Sequence, residues 1–331
     1  MNLITVVALL GVSLPICAAY AHNGLTAYIP HVDRAMDIDG NEDDWEWYDL
    51  RYRVDVESWG GKNQDINNPN DFRAYYYLAW DWEDNQLILF ARVYDDTLRQ
   101  EESAEDFEKE FWYRDDALEI VIDVDHSGGP FGDRNYGDDE GQIYVMRFRP
   151  IVNPGLSDWD AISPYVGRYS FGPVDHWAKR QEFTQFASKV DTANGSYTYT
   201  YEIAITLFNT FEFYSPDDPS YEEDIHWIED EQIIGLSVYF FDSEGGNVFQ
   251  DIFGIKGGRP ADYLNRDYLG DAQFAHCLYG WEPFHRDCTI VDVFDYPEES
   301  GERLGEDDTG DEEGSNVEAT TWGRIKGFFT E

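Results

Sequence analysis

Two apolar runs joined by a three-residue turn restrict this chain more than any other feature. Residues 72–82 (FRAYYYLAWDW) and 86–94 (QLILFARVY) flank Glu83-Asp84-Asn85. Short runs of aromatic and aliphatic residues that meet at a polar turn read as a β-hairpin. The pattern then repeats. Residues 117–124 (ALEIVIDV) end at a Gly-rich turn, and 142–149 (QIYVMRFR) alternate. Residues 183–190 and 197–207 flank Thr192-Ala193-Asn194-Gly195, an Asn-Gly hairpin. Residues 233–242 and 247–253 flank Ser243-Glu244-Gly245-Gly246, and 272–279 read as a closing strand. Strands at this spacing predict an all-β fold, an antiparallel sandwich or barrel. Two long acidic loops, 96–116 and 127–141, interrupt it. Trp, Tyr and Phe make up 17% of the chain, far more than a disordered sequence carries, so most of it must fold.

The ends differ from the body. Residues 1–21 read as a secretory signal: an apolar stretch too short to span a bilayer, then Ala19-Tyr20-Ala21 as a cleavage site. A secreted, periplasmic or cell-surface location follows, with no membrane span expected. Cys17 would be lost with the signal. Cys277 and Cys288 are then the two cysteines of the mature chain, and in an oxidising compartment they are expected to pair. Such a bridge would contribute roughly 2–3 kcal/mol in the chain-entropy model. Residues 22–296 form one β domain in this reading. Residues 297–316 are an acidic linker (EESGERLGEDDTGDEEG at its centre), solvated and extended. In 317–331, Trp322, Ile325, Phe328 and Phe329 recur at helical spacing, so a short amphipathic peptide follows the linker. It either docks to a protein partner or sorting machinery, or folds back onto the main domain.

The formal net charge of −45 argues against nucleic acid and anionic membranes as partners, since both reward Lys and Arg. The chain has no G-x-S-x-G, phosphate loop or dinucleotide fingerprint. Carboxylate pairs carry no weight among 68 acidic residues. A protein without catalytic activity is the expectation.

Several short blocks occur in a familiar order. Ile38-Asp39-Gly40-Asn41-Glu42-Asp43-Asp44-Trp45 resembles the opening "IDG-x-x-D-x-x-W" of family 9 carbohydrate-binding modules and their DOMON-like relatives. Ala79-Trp80-Asp81, Leu87 and Val93 with Asp95-Asp96 match the next block. Trp112 to Ile120 (WYRDDALEI) resembles the block "W-x-x-D-x-x-E", and its strand ends at Ile122-Asp123. Gly270 and Phe274 fit the closing strand.

The resemblance implies a β-sandwich that binds mono- or oligosaccharides between two aromatic side chains. The physics is general: the C–H face of a pyranose stacks on a ring, and its hydroxyls need planar polar partners. By this resemblance the first clamp falls on Trp112, with Tyr113 beside it. The second falls on Tyr263, near Asn265, where sugar-binding members often carry Trp. Glu119 matches a hydrogen-bonding acid. The family's arginine falls nearest Tyr144, with Arg147 three residues on. Trp45 and Trp80 are expected in the core, whereas Trp82, Trp159, Trp177 and Trp227 lie near loops.

Asp123-Val124-Asp125-His126-Ser127-Gly128-Gly129 opens like a calcium loop, with Asp133 following, although Arg134 at the twelfth position excludes an EF-hand. Asp123, Asp125, Ser127 and Asp133 are thus candidate ligands for a structural Ca²⁺; the alternative is a solvated acidic turn. No zinc spacing occurs. Two other functional classes remain open. One is a structural or adhesive surface module without a sugar site. The other is a b-haem domain using Met146, which as a lone strand methionine could equally fill the core.

Overall fold

The computed structural model describes residues 25–32, 34–58, 71–100, 102–103, 107, 114–126, 144–151, 157–166, 179–193, 195–209, 225–243, 251–254 and 269–275. Residues 1–21, read as a signal, Cys277, Cys288, and residues 297–331, read as a linker and a short peptide, lie outside them. Among the described residues no helix is long and apolar enough to cross a membrane.

Among the described residues thirteen strands follow one another: β1 (Leu25–Val32), β2 (Val54–Asp55), β3 (Glu57–Ser58), β4 (Phe72–Asp81), β5 (Gln86–Asp95), β6 (Ala117–Asp123), β7 (Tyr144–Phe148), β8 (Ile162–Val166), β9 (Thr184–Ala193), β10 (Ser196–Thr206), β11 (Ile233–Asp242), β12 (Asp251–Gly254) and β13 (Gly270–Ala275). They pair in the order β8-β7-β6-β11-β13-β1-β4-β5-β10-β9, with β12 also on β11. This path folds into two layers at β1. Its first part pairs with β13, while His31 and Val32 pair with β4.

The sandwich and its hairpins match the expectation, with one difference in strand direction. β1 runs parallel to both of its neighbours, whereas the other pairings are antiparallel. It enters from the N-terminus rather than through a hairpin, and a hairpin is what forces antiparallel pairing. Neither β1 nor β8 shows in the sequence pattern, because Pro30 and Pro164 interrupt their runs.

Side chains of both layers meet in one core. Phe72 of β4 stacks on Phe253 of β12 at 4.1 Å, and Phe148 of β7 meets Phe186 of β9 at 5.2 Å. Trp80 is buried here, as expected. Both layers are also covered on the outside. Trp45, Tyr48 and Tyr52 lie over Tyr77, Ala79 and Phe90 on the β4–β5 layer. Phe107 and Leu269 lie over Val121, Val145, Tyr239 and Phe241 on the β6–β11 layer. That double burial explains why β4, β6 and β11 read as nearly continuous apolar runs rather than strict alternation.

The opening IDG-x-x-D-x-x-W-like block is an anchor. Glu202, buried on β10, accepts hydrogen bonds from Trp45 Nε1 (2.9 Å) and from the backbone N–H groups of Asp39 (2.9 Å) and Gly40 (2.8 Å). Thr200 Oγ1 donates to the Gly40 carbonyl. Gly40 has φ +81°, and a Cβ there would sit 3.1 Å from the Ser188 carbonyl carbon. Gly195, in the β9–β10 turn, has φ +84° but nothing within 4 Å of its missing Cβ. A left-handed L-residue costs roughly 1–2 kcal/mol. Gly195→Ala is therefore expected to lose about that much in urea unfolding. Gly40→Ala should lose measurably more, because the β9 backbone must also give way.

Candidate functional site

The outer face of the β6–β7–β11 layer carries an unusual pair. Along β6, Leu118, Ile120 and Ile122 point into the inter-sheet core, so Ala117, Glu119, Val121 and Asp123 take the outer face. On β7, Met146 and Phe148 belong to the core, and Val145 to the outer cluster. Register sets Glu119 opposite Arg147. Arg147 Nε donates to Glu119 Oε2 at 2.6 Å, and both side chains are nearly buried, at 8% and 2% exposure. Holding a carboxylate and a guanidinium out of water is costly unless both are bonded. The pair is thus a fixed, planar set of donors and acceptors on a mostly apolar sheet.

Tyr144 pairs with Ile122 in the same ladder. The strand's outward-facing polar partner is Arg147. The sequence held that signal: Arg147 and Glu119 both break the apolar alternation of their strands on the same side.

Two further described residues belong to this face. Phe107 and Leu269, both fully buried, pack on the same outer face. Trp112 and Tyr113 fall in 108–113, between Phe107 and Arg114, and Tyr263 and Asn265 fall in 255–268, just before Leu269. All four lie outside the described residues. What is described is how the first of these segments is held. Arg149 is fully buried and stacks over the Phe107 ring at 4.6 Å. Its Nη1 donates to Asp115 Oδ2 (2.9 Å) and to the Glu102 carbonyl (2.8 Å), and its Nη2 donates to the Asp160 carbonyl (3.1 Å). Asp115 also accepts from the Glu102 N–H at 3.1 Å. One guanidinium therefore ties both ends of the segment that carries Trp112 to the sheet.

Beside this anchor, at the end of the sandwich where β5 and β11 finish and β6 begins, three buried carboxylates converge. Asp95, Asp116 and Asp242 each place an oxygen within 4.8 Å of the others. Asp95 accepts from Tyr199 OH (3.0 Å) and the Thr97 N–H (2.8 Å). Asp116 accepts from the backbone N–H groups of Arg99 and of Ser243 (2.7 Å). Burial pushes the Asp95 carboxyl up to about 7, and its neighbour Asp96 adds to the rise. Burial pushes Asp116 well above the carboxylate range, with the charges of Asp95 and Asp242 adding to it. Three carboxylates this close cannot all be ionised in a dry interior without a proton or a cation among them. Hard oxygen donors in this number suit Ca²⁺. Sequence reasoning missed this set because Asp95 and Asp242 end two strands and Asp116 precedes a third, all far apart in the chain.

The calcium loop expected from the sequence starts at the opposite end of β6. Asp123 is buried there, Asp125 is exposed, and His126 turns the chain with φ 55°. Ser127 and Asp133 lie outside the described residues. Met146 is 1% exposed within the inter-sheet core.

A cleft of about 690 Å³ opens on the other layer, lined by Glu42, Trp45, Tyr77, Arg92 and Lys189 among others. Its polar groups bond to one another. Glu42 pairs with Arg92 at 2.7 Å and accepts from Tyr75 OH (3.0 Å) and Tyr77 OH (2.9 Å). Burial, with Glu42 adjacent, pushes the Tyr75 phenol up to about 12.

The chain is thus a two-layer β-sandwich with a buried acid–guanidinium pair on one outer face. The chain belongs to the carbohydrate family 9 binding domain-like family, whose model matches residues 38–276. No curated protein matches it. Among solved structures it is similar to a family 9 carbohydrate-binding module from Caldicellulosiruptor kristjanssonii in complex with cellotriose. That match has 15% identity and a TM-score of 0.47, covering 76% of this chain and 93% of that one. The same organism's family 9 module in complex with glucose matches at 14% identity and a TM-score of 0.44, over 75% and 95% of the two chains.

Proposed function

We propose that this is an exported, non-catalytic protein that holds the end of a mono- or oligosaccharide on the outer face of the β6–β7–β11 layer. The observation that carries the reading is the Glu119–Arg147 pair. A pre-bonded carboxylate and guanidinium on an apolar sheet offer fixed partners to sugar hydroxyls, and little ordering entropy remains to be lost on binding. Trp112, with Tyr113 beside it, and Tyr263, near Asn265, would supply the stacking surfaces. Asp95, Asp116 and Asp242 would hold one structural Ca²⁺, which neutralises their charge and so fixes the ends of three strands.

The test is calorimetry of the mature protein against soluble gluco-, xylo-, manno- and galacto-oligosaccharides. Binding in the micromolar to millimolar range is expected. Trp112→Ala should weaken it at least tenfold, about 1.4 kcal/mol, without lowering the melting temperature. Glu119→Gln should also weaken it, by losing a charged acceptor. No heat with any sugar from the folded protein would sink the proposal and favour a structural or adhesive surface role.

A further inference from the structure

Large apolar side chains exposed among the described residues are few: Leu50, Trp82, Trp227 and Ile233. Three of the four stand at one end of the sandwich, the end opposite Asp95, Asp116 and Asp242. Trp82 directly follows β4, and Ile233 opens β11. Trp227 belongs to the segment fastened to the β4–β5 turn by Asn85. That side chain donates through Nδ2 to the His226 carbonyl (2.8 Å) and accepts through Oδ1 from the Ile228 N–H (2.9 Å). Asn85 itself has φ 52°, so the turn that carries both contacts is tightly defined.

The two indoles are therefore presented on fixed backbone and left in water. Trp82 is 61% exposed and Trp227 67%. Scattered apolar residues need no explanation, but tryptophans gathered at one end of a fold whose core is already filled do.

Trp82 also borders a cleft of about 430 Å³, whose polar lining comes from His31, Arg34, Asp81 and Glu83. That volume is in the range of small-ligand sites. The Trp82 ring centroid lies 6.0 Å from that of buried Trp80, which in turn meets the His31 ring at 5.0 Å. Asp81 is held by the turn it caps, accepting from the N–H groups of Glu83 (2.7 Å) and Asp84 (3.2 Å). A flat indole beside two carboxylates, an imidazole and a guanidinium is the chemistry that recognises a pyranose: one apolar face, and a rim of hydroxyls that both donate and accept.

The charge narrows the ligand. Asp81, Glu83 and Asp84 sit on the hairpin end, and Glu229, Asp230 and Glu231 follow Trp227. A uronate or sulfated glycan would meet like charge at this end, on a chain of net charge −45.

The geometry points to a second carbohydrate site at this end of the sandwich, in which Trp82 stacks a neutral pyranose over the His31–Asp81 cleft and Trp227 contacts a further unit of the same chain. It shares no residue with the Glu119–Arg147 face and stands or falls separately from it.

The experiment labels the mature full-length protein with 5-fluorotryptophan and assigns the Trp82 and Trp227 ¹⁹F signals with Trp82→Phe and Trp227→Phe. The protein is then titrated with neutral gluco-, xylo-, manno- and galacto-oligosaccharides, and separately with galacturonate oligomers. A saturable shift of the Trp82 signal with at least one neutral sugar is expected, and none with the uronates. Trp82→Ala, which removes an exposed side chain, should weaken that binding at least tenfold at an unchanged melting temperature. Trp112→Ala should leave the Trp82 shift intact.

If every sugar leaves the Trp82 signal unmoved while another site still binds, the second site is wrong and the proposed function survives. If Trp82 responds and Trp112→Ala changes no affinity, the second site stands and the first does not. An equal response to uronates would overturn the neutral-glycan assignment. Loss of the response in Trp112→Ala would overturn the second site itself, since the shift would then report binding at the first.

Discussion

Replacing Asp115 by alanine is expected to destabilise the protein by about 3–5 kcal/mol, the largest effect of any single change considered. The cause is Arg149 rather than the lost contact alone. Its guanidinium is fully buried, and its remaining hydrogen bonds go to neutral carbonyls of Glu102 and Asp160. Without Asp115 a full positive charge stays in the interior uncompensated. Urea unfolding of the variant should show a much lower midpoint. Arg149→Met together with Asp115→Leu should recover a large part of the loss, because exchanging a buried pair for apolar groups removes both desolvation costs. The double variant still lacks the tie between residues 102 and 115, so sugar affinity should not recover with stability. A single Asp115→Ala variant within 1 kcal/mol of the parent would show that the pair is not the anchor described.

Without divalent cations, the protein should become less stable as pH rises from about 4 to 8, and calcium should reverse the trend. The native carboxyls of Asp95 and Asp116 are raised above the unfolded value near 4. Between the two values the native state binds more protons than the unfolded state, so its stability falls with pH. The slope is about 1.4 kcal/mol per pH unit for each extra proton. The contribution is fully present below about 4, and for Asp95 it is gone once pH passes about 7. Glu202 and Asp81, both raised by burial, act in the same direction. Asp160, lowered by hydrogen bonds from Ser157, acts in the opposite one.

Calcium competes with those protons, so it should raise the melting temperature by several degrees at pH 8 and by little at pH 5. Scanning calorimetry with calcium and with a chelator at both pH values measures this. Asp116→Asn should flatten the pH slope and abolish the calcium response. If the response survives in Asp116→Asn and vanishes in Asp125→Asn, the ion belongs instead to the 123–133 loop.

The hairpin of β4 and β5 was legible from residues 72–94 alone, because a turn between two apolar runs is a local signal. So was β11, whose bounds match the run read from the sequence. Trp45 and Trp80 fell where their blocks placed them. Strand β1 was not legible: it pairs parallel with two partners, one about 50 residues away and one about 245, and Pro30 masks its pattern. In the candidate site, Glu119 was named through the resemblance as a hydrogen-bonding acid, and Arg147 was named but not preferred; the two are bonded to each other. Met146 and Phe148 set the core side of β7, which puts Arg147 on the outer one.

The amino-acid sequence by itself determined the fold class, the hairpins and the family, because those rest on patterns within ten or twenty residues. Tertiary structure alone decided which polar residues act together. Glu119 meets Arg147 through cross-strand register, Asp115 meets Arg149 through a loop folded onto the sheet, and Asp95, Asp116 and Asp242 converge from three strand ends. In a chain with 68 acidic side chains, no local rule separates a buried carboxylate from a solvated one. The difference lies in which surfaces cover it, and only folding brings those surfaces together.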